Sequence, residues 1–169
     1  MGMRQKIDEH LKAGLQARVD GPLQAYSVAQ PVGTMSHFLR AEATNVAVAG
    51  AGGDARMSGR TRGSASSGGK RVKLPNSFAV AITPTTVHVF GWKNFWTKVT
   101  VKRELLTLPR AGLRVAVTPK GSTTFFHLRS EPSGEELAFE MATLGFASAK
   151  ARVEEVVTAL QPEGGADDA

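Results

Sequence analysis

Between residues 77 and 143 the chain consists of short segments in which apolar and polar residues alternate, separated by turns that contain Pro or Gly. A period of two is typical of strands with one buried face, and turn residues between such segments predict hairpins. The predicted strands are 77–83, 87–89, 102–108, 113–118, 123–129 and 136–143. The order of these segments indicates six strands that follow one another as a meander.

Two further segments have the period of a helix. After Ser148, a predicted N-cap, one apolar face is formed by Ala149, Val153, Val156, Val157 and Leu160, and Pro162 ends the helix. Residues 4–16 predict an N-terminal helix on a narrow apolar stripe of Ile7, Leu11 and Leu15, which Gly14 weakens. We expect this helix to dock against the rest of the molecule.

Residues 23–30 predict a first strand, and residues 37–49 fit a strand or a helix equally well. The fold class that these elements predict is mainly β with helices, in the form of a barrel of about seven antiparallel strands capped by the C-terminal helix. We expect an N-terminal helical extension at 1–20, one domain at 21–161 with a flexible Gly- and Ser-rich loop at 50–74, and a disordered acidic tail at 162–169.

Charge is distributed unevenly along the 169 residues. The net charge is +6, yet residues 50–120 contain thirteen Lys and Arg against two acidic residues, whereas residues 121–169 contain three against nine. Such a distribution predicts a basic side that attracts an anionic lipid surface, an acidic protein or nucleic acid. The alternative is a solvated surface that only keeps the protein in solution.

The residues show none of the familiar catalytic patterns, so we expect a protein that is not an enzyme and has no cofactor. Absence of cysteine excludes disulfides and thiolate catalysis, and the four histidines lack metal-site spacing. Gly50, Gly52 and Ala55 match a dinucleotide-site spacing, but no helical period follows them. Residues 63–70 differ from a P-loop in spacing, and Arg71 stands where Ser or Thr is needed. The late glutamates, including Glu140, are predicted to lie on solvated faces.

The order of elements, with one early strand, a long loop, six strands and a C-terminal helix, resembles the pleckstrin-homology-like (PH-like) barrel over residues 21–161. In particular it is similar to small PH-like proteins of bacteria, of the actinobacterial type given the use of Ala, Gly, Val and Arg. The resemblance implies a two-sheet barrel with the helix over one open end, and a non-catalytic adaptor role. The long first loop and the N-terminal helix depart from that pattern.

Two basic segments carry the candidate site residues for an anionic ligand. In the loop, Arg56, Arg60 and Arg62 loosely match the phosphoinositide-binding pattern of lipid-binding PH domains, and Lys70, Arg71 and Lys73 follow. Residues 90–103, predicted as the connection between the third and fourth strands, interleave aromatic rings with cations. From these we select Trp92, Lys93, Trp96 and Lys98.

The function predicted from these residues is a binding or adaptor module that engages an anionic membrane surface or a protein partner. An alternative is a nucleic-acid-binding protein that uses the same basic face. A third hypothesis is a scaffold that holds an apolar peptide between the C-terminal helix and the sheet. Acidic residues near the N-terminus and the lack of a long apolar run predict a cytoplasmic location, with peripheral attachment to the inner face of the membrane as an option.

Overall fold

A computed structural model describes residues 2–32, 65–67, 70–131, 134–143 and 149–161. These residues form two helices and nine strands. In chain order they are α1 (Met3–Gln16), β1 (Ala25–Pro31), β2 (Ala65–Ser67), β3 (Lys70–Val72), β4 (Phe78–Ile82), β5 (Thr86–Phe95), β6 (Lys98–Pro109), β7 (Leu113–Lys120), β8 (Thr123–Ser130), β9 (Glu136–Ala142) and α2 (Ala149–Leu160). Neither helix is long and apolar enough to cross a membrane.

Seven antiparallel strands form a nearly closed barrel. Around it the order is β6, β5, β4, β1, β9, β8, β7, and among the described residues no pairing joins β6 to β7. Strand β1 joins the two halves of the barrel, because it pairs with β4 along most of its length and with β9 at Gln30 and Pro31. The predicted mainly-β barrel with two helices is therefore confirmed.

Alternating side chains fill the interior of the barrel, as the period-two pattern predicts. Phe139 lies at its centre, stacked on Phe126 with ring centroids 4.7 Å apart and edge-on to Phe78 at 6.3 Å. Helix α2 packs against β1, β4 and β9, and its buried Val153 and Val156 belong to the same cluster. The helix thus completes the core with the apolar face that its spacing predicts.

Helix α1 covers the outer face of the sheet formed by β1, β4, β5 and β6. Its buried Leu11 and Leu15 pack with outward-facing residues of that sheet, including Ala79 and Ala81 of β4. Strand β4 is therefore buried on both faces, with large side chains inward and alanines outward. A Cβ at Gly14 would lie 2.7 Å from Val101 Cγ2, so this glycine allows α1 to approach β6 closely.

Three predictions need correction. Residues 90–103 are not a connecting loop, because β5 and β6 continue through them to the two-residue turn Trp96–Thr97. The predicted flexible segment contains β2 and β3, which pair with each other, while β2 also pairs with β9 beyond the end of β1. Glu140 is not on a solvated face, since it is only 1% exposed, at the position where β9 pairs with β1.

Some expectations lie outside the described residues and are not addressed by the fold. They are the strand or helix at 37–49, the basic loop before residue 65, the N-cap Ser148 and the acidic tail. The predicted boundaries of α1 and of the apolar face of α2 are confirmed to within a residue.

Candidate functional site

The β5–β6 hairpin extends past the sheet that it belongs to. Pairing of β5 with β4 ends at Gly91, which lies opposite Phe78, while β5 and β6 remain paired with each other as far as Phe95 and Lys98. We call residues 92–101 the hairpin arm. The sequence favours this extension, because aromatic and β-branched residues dominate it and β-branched and aromatic side chains suit a pleated strand.

One face of the arm packs under α1. Trp92 lies opposite Val101, and both contact the cluster that contains Leu11 and Leu15. The indole Nε1 of Trp92 also donates a hydrogen bond of 2.9 Å to Ser77 Oγ at the entrance to β4. Trp92 is accordingly half-buried and has a structural role at the base of the arm.

Two polar contacts attach α1 and the turn that follows it to the backbone of the arm. His10 Nδ1 lies 2.7 Å from the carbonyl oxygen of Thr97, and Arg18 Nη2 donates to the carbonyl of Val101 at 2.9 Å. Since one contact is at the tip and the other is four residues further along the chain, α1 and the turn after it together support the arm along its length. The arm is therefore a braced projection.

At the tip, two large aromatic side chains face solvent. Phe95 is 69% exposed and Trp96 is 73% exposed, and with Met3 they are the exposed large hydrophobic residues of the described chain. Their rings meet edge to face, with centroids 6.5 Å apart and planes at 75°. Trp96 has φ +58°, a left-handed conformation that is unfavourable for a bulky side chain.

Two lysines flank this aromatic tip, and two more cations follow along β6. The alternation along the strands places Lys93 and Phe95 on one face of the arm, opposite Thr100 and Lys98. Residues 91–103 contain no acidic residue, and among the described residues no ion pair involves the cations of this segment. The exposed cations of the segment are Lys93, Lys98, Lys102 and Arg103. A positive potential next to two exposed rings is the chemistry that the site offers.

The next acidic residue along β6 is held by its own neighbours. Glu104 contacts His88 Nδ1 at 2.7 Å and accepts a hydrogen bond from Thr107 on the same outer face of the sheet. Glu104 therefore lies at the base of the hairpin, opposite Phe90, and outside the arm.

The structure brings together only part of the predicted site. Trp92, Lys93, Trp96 and Lys98 share the arm, with Trp92 at its base and the other three toward its tip. The other described candidates are exposed on β3 and on the segment that leads into β4, and they are Lys70, Arg71 and Lys73. Arg56, Arg60 and Arg62 lie outside the described residues.

Sequence reasoning missed Phe95 as a site residue. It carries the same exposure as Trp96 and forms half of the aromatic tip. The signal was present, since Lys93 and Phe95 are two apart and alternate with Trp92 and Asn94. Applying the period of two to this segment would have placed Phe95 on the face opposite the packed Trp92.

A second polar cluster connects α1, β1 and α2. Arg152 Nη2 donates to Asp8 Oδ2 at 2.6 Å and to the Tyr26 hydroxyl at 2.7 Å, and its guanidinium lies 4.2 Å from the centre of the Tyr26 ring. Tyr26 in turn donates to Asp8 at 2.8 Å. Burial, together with that hydrogen bond, raises the pKa of Tyr26 well above its ordinary value.

This cluster lines a cleft of about 380 Å³, but its charges satisfy one another, because Glu155 also accepts from Arg152 at 2.9 Å. We therefore assign Asp8, Tyr26 and Arg152 to the attachment of α1. Within the described ranges, no three histidine or acidic side chains come together in a way that could hold a metal ion.

Comparison with known proteins adds no further evidence on the site. No protein-family model matches the chain. No match was found among curated proteins or among solved structures. Function must therefore be argued from the geometry of the hairpin arm.

Proposed function

We propose that this chain is a non-enzymatic, PH-like binding module that attaches to an anionic membrane surface through the hairpin arm. The observation that supports this best is the coincidence, on one braced projection, of two exposed aromatic rings with lysines that form no ion pair among the described residues. The proposed location is the cytoplasm, at the periphery of the inner face of the membrane.

Strand order supports the PH-like part of the proposal. Strands β1, β4, β5 and β6 form one antiparallel sheet, β7, β8 and β9 form a second, and β1 bridges the two. In the described part of the chain one helix, α2, follows the last strand and packs into the core. This is the two-sheet arrangement with one C-terminal helix that the resemblance implies.

Electrostatics supports an anionic surface as the ligand. A basic residue close to an anionic leaflet contributes about 1 kcal/mol to binding, so Lys93 and Lys98 beside the tip together supply about 2 kcal/mol. Lys102 and Arg103 lie further along β6 and add less than about 1 kcal/mol each. Attachment of that strength is reversible and weakens as salt screens the charges. The role that fits is an adaptor recruited to a membrane, and not a permanent anchor.

Sedimentation with lipid vesicles tests the proposal. The full chain is expected to bind vesicles of phosphatidylcholine with phosphatidylglycerol at low salt, and not vesicles of phosphatidylcholine alone. Replacing Lys93, Lys98 and Lys102 by Gln should weaken binding about 100-fold.

A control variant loses the same number of positive charges on other elements. It replaces the exposed Lys120, Arg129 and Lys150 by Gln. Its loss of affinity should be several-fold smaller than that of the variant at Lys93, Lys98 and Lys102. Equal binding to both kinds of vesicle, or equal losses in both variants, contradicts the proposal. Tighter binding to a single-stranded oligonucleotide than to anionic vesicles at the same salt concentration selects the nucleic-acid alternative.

A further inference from the structure

We infer that the tip of the arm enters the bilayer, with Phe95 and Trp96 at the boundary between headgroups and acyl chains and the neighbouring lysines at the phosphates. This inference rests on the proposed function and gives it a geometry. Electrostatic attachment alone requires no aromatic residue, so insertion is a separate claim with its own test.

Packing within the described part of the chain does not explain the conformation of the tip. Tryptophan at φ +58° is strained, and a two-residue hairpin turn is a position where Gly or Asn would be favoured. Neither Phe95 nor Trp96 recovers that cost by burial, since both are mostly exposed. Strain in an exposed residue of this kind points to a contact outside the chain.

The spacing of rings and charges matches the layers of a lipid interface. Lys98 lies directly opposite Phe95, and Lys93 is two residues behind it, which is about 7 Å along a strand. Interfacial elements bury their apolar residues about 5–10 Å into the headgroup and acyl boundary. At that depth Lys93 lies level with the phosphates, and Lys98 reaches them by extending its long side chain back along the arm. The indole and phenyl rings occupy the region they prefer.

Some of the backbone hydrogen-bonding groups at the tip already have partners within the chain. Phe95 and Lys98 pair across the strands, and the carbonyl of Thr97 lies within hydrogen-bond distance of His10. Unpaired backbone groups are costly in lipid, so these contacts reduce the cost of inserting the turn. Bracing by α1 also spares the loss of conformational freedom that a mobile loop would undergo.

A bilayer fits the ring geometry better than nucleic acid does. Proteins that bind single strands stack successive bases on aromatic rings along a basic groove. At this tip the ring planes of Phe95 and Trp96 stand at 75°, and the rings project from the end of a hairpin. Two successive stacked bases would need ring planes close to parallel, whereas a fluid interface has no such requirement.

Fluorescence with depth-specific quenchers tests insertion. The chain contains two tryptophans, so Trp92→Phe leaves Trp96 as the only one, and Trp96→Phe leaves Trp92. With anionic vesicles that carry a nitroxide on the acyl chain near the headgroup, emission from Trp96 should shift to the blue and be quenched. Emission from Trp92 should change little, because Trp92 packs under α1. Vesicle binding without quenching of Trp96 overturns the inference and leaves the proposed function standing.

Affinity measurements provide the second readout. Phe95→Ser and Trp96→Asn should each reduce binding to anionic vesicles about tenfold, while retention on heparin, which has charge but no apolar interior, should be unchanged. The variant at Lys93, Lys98 and Lys102 should lose both affinity for vesicles and retention on heparin. Equal loss on vesicles and heparin in the aromatic variants overturns insertion, as does an unchanged affinity for vesicles. Absence of vesicle binding by the intact chain overturns the proposed function itself.

Discussion

The two tryptophans of the chain lie four residues apart on one hairpin and have opposite environments. Trp92, at the base of the arm, packs with Val101 and α1 and donates a hydrogen bond to Ser77. Trp96, at the tip, is 73% exposed in a strained backbone conformation. The same contrast separates Phe90, which is buried, from Phe95, which is exposed.

This difference shows that the residue type does not decide between core and surface here. The outer face of the sheet has a cover, α1, and aromatic residues on that face become part of a second core. The opposite face of the arm extends beyond the barrel interior and has no such cover among the described residues. The contrast predicts that base and tip respond differently to substitution.

The largest expected effect comes from truncating Phe90, the buried aromatic residue just before the arm. Phe90→Ala leaves a cavity under α1 and should lower the free energy of unfolding by about 3–5 kcal/mol, whereas Phe95→Ala should change it by less than about 0.5 kcal/mol. Urea denaturation of both variants measures the difference. Similar losses at the two positions would show that the tip is also part of the packed structure.

A smaller effect is expected where α1 meets β6. Gly14→Ala improves helix propensity by about 1 kcal/mol, but its Cβ would lie 2.7 Å from Val101 Cγ2, so the net result should be destabilising by about 1 kcal/mol. In a Val101→Ala background the clash is absent and the same substitution should stabilise by up to about 1 kcal/mol. Denaturation of the four members of this double-mutant cycle gives the sign. Stabilisation in both backgrounds would mean that α1 does not approach β6 so closely.

At the tip the expected effect on stability has the opposite direction. Trp96→Gly removes the strain of a positive φ and should raise the free energy of unfolding by up to about 1 kcal/mol, although it deletes a large side chain. Thermal and urea denaturation measure it, with Trp92→Gly as the matched control, which should destabilise strongly. A loss of stability in Trp96→Gly would show that the indole contributes to folding.

The last prediction concerns the stability of the chain at alkaline pH, and no change is expected at neutral pH. Because the pKa of Tyr26 is raised in the folded state, its hydroxyl ionises first in the unfolded state as pH rises above about 10. The contribution of Tyr26 to the free energy of unfolding is complete below that pH and is lost as the pH rises above it. Tyr26 is the only tyrosine, so absorbance near 295 nm reports it directly and should show no phenolate at pH 10.5 until the chain unfolds.

Tyr26→Phe should remove the part of the alkaline loss of stability that comes from ionisation of Tyr26. The part that comes from titration of the lysines should remain. Ionisation of Tyr26 in the folded chain at its ordinary pKa would contradict its burial and its hydrogen bond to Asp8.

Much of the barrel follows from local patterns. Alternation in β4, β7, β8 and β9 predicts which residues face inward, and the spacing of Val153, Val156 and Leu160 predicts the buried face of α2. Prediction was poorer where burial depends on a distant element. Glu140 has the strand position of a solvated residue, yet it is buried where β1 reaches β9 across the barrel.

The sequence prediction selected the segment that forms the arm but gave it the wrong secondary structure. A run of lysines and aromatic rings in 90–103 identified the chemistry, and the assignment of this run to a loop hid its two faces. As a result Phe95 was omitted and Trp92 was included. The short pairing of β2 with β9 was missed for a related reason, since a three-residue strand carries too little periodicity to be recognised alone.

Local sequence thus specified most of the barrel strands, the two amphipathic helices and the concentration of positive charge, because side-chain periodicity and composition act over a few neighbouring residues. Tertiary packing specified which aromatic residues are buried, because that depends on where α1 lies, and α1 is about eighty residues away from the arm along the chain. The contacts of Gly14 with Val101, and of His10 with Thr97, exist only after that docking. Long-range contacts of this kind leave no local pattern, so the division between the packed base and the exposed tip appears only in the folded molecule.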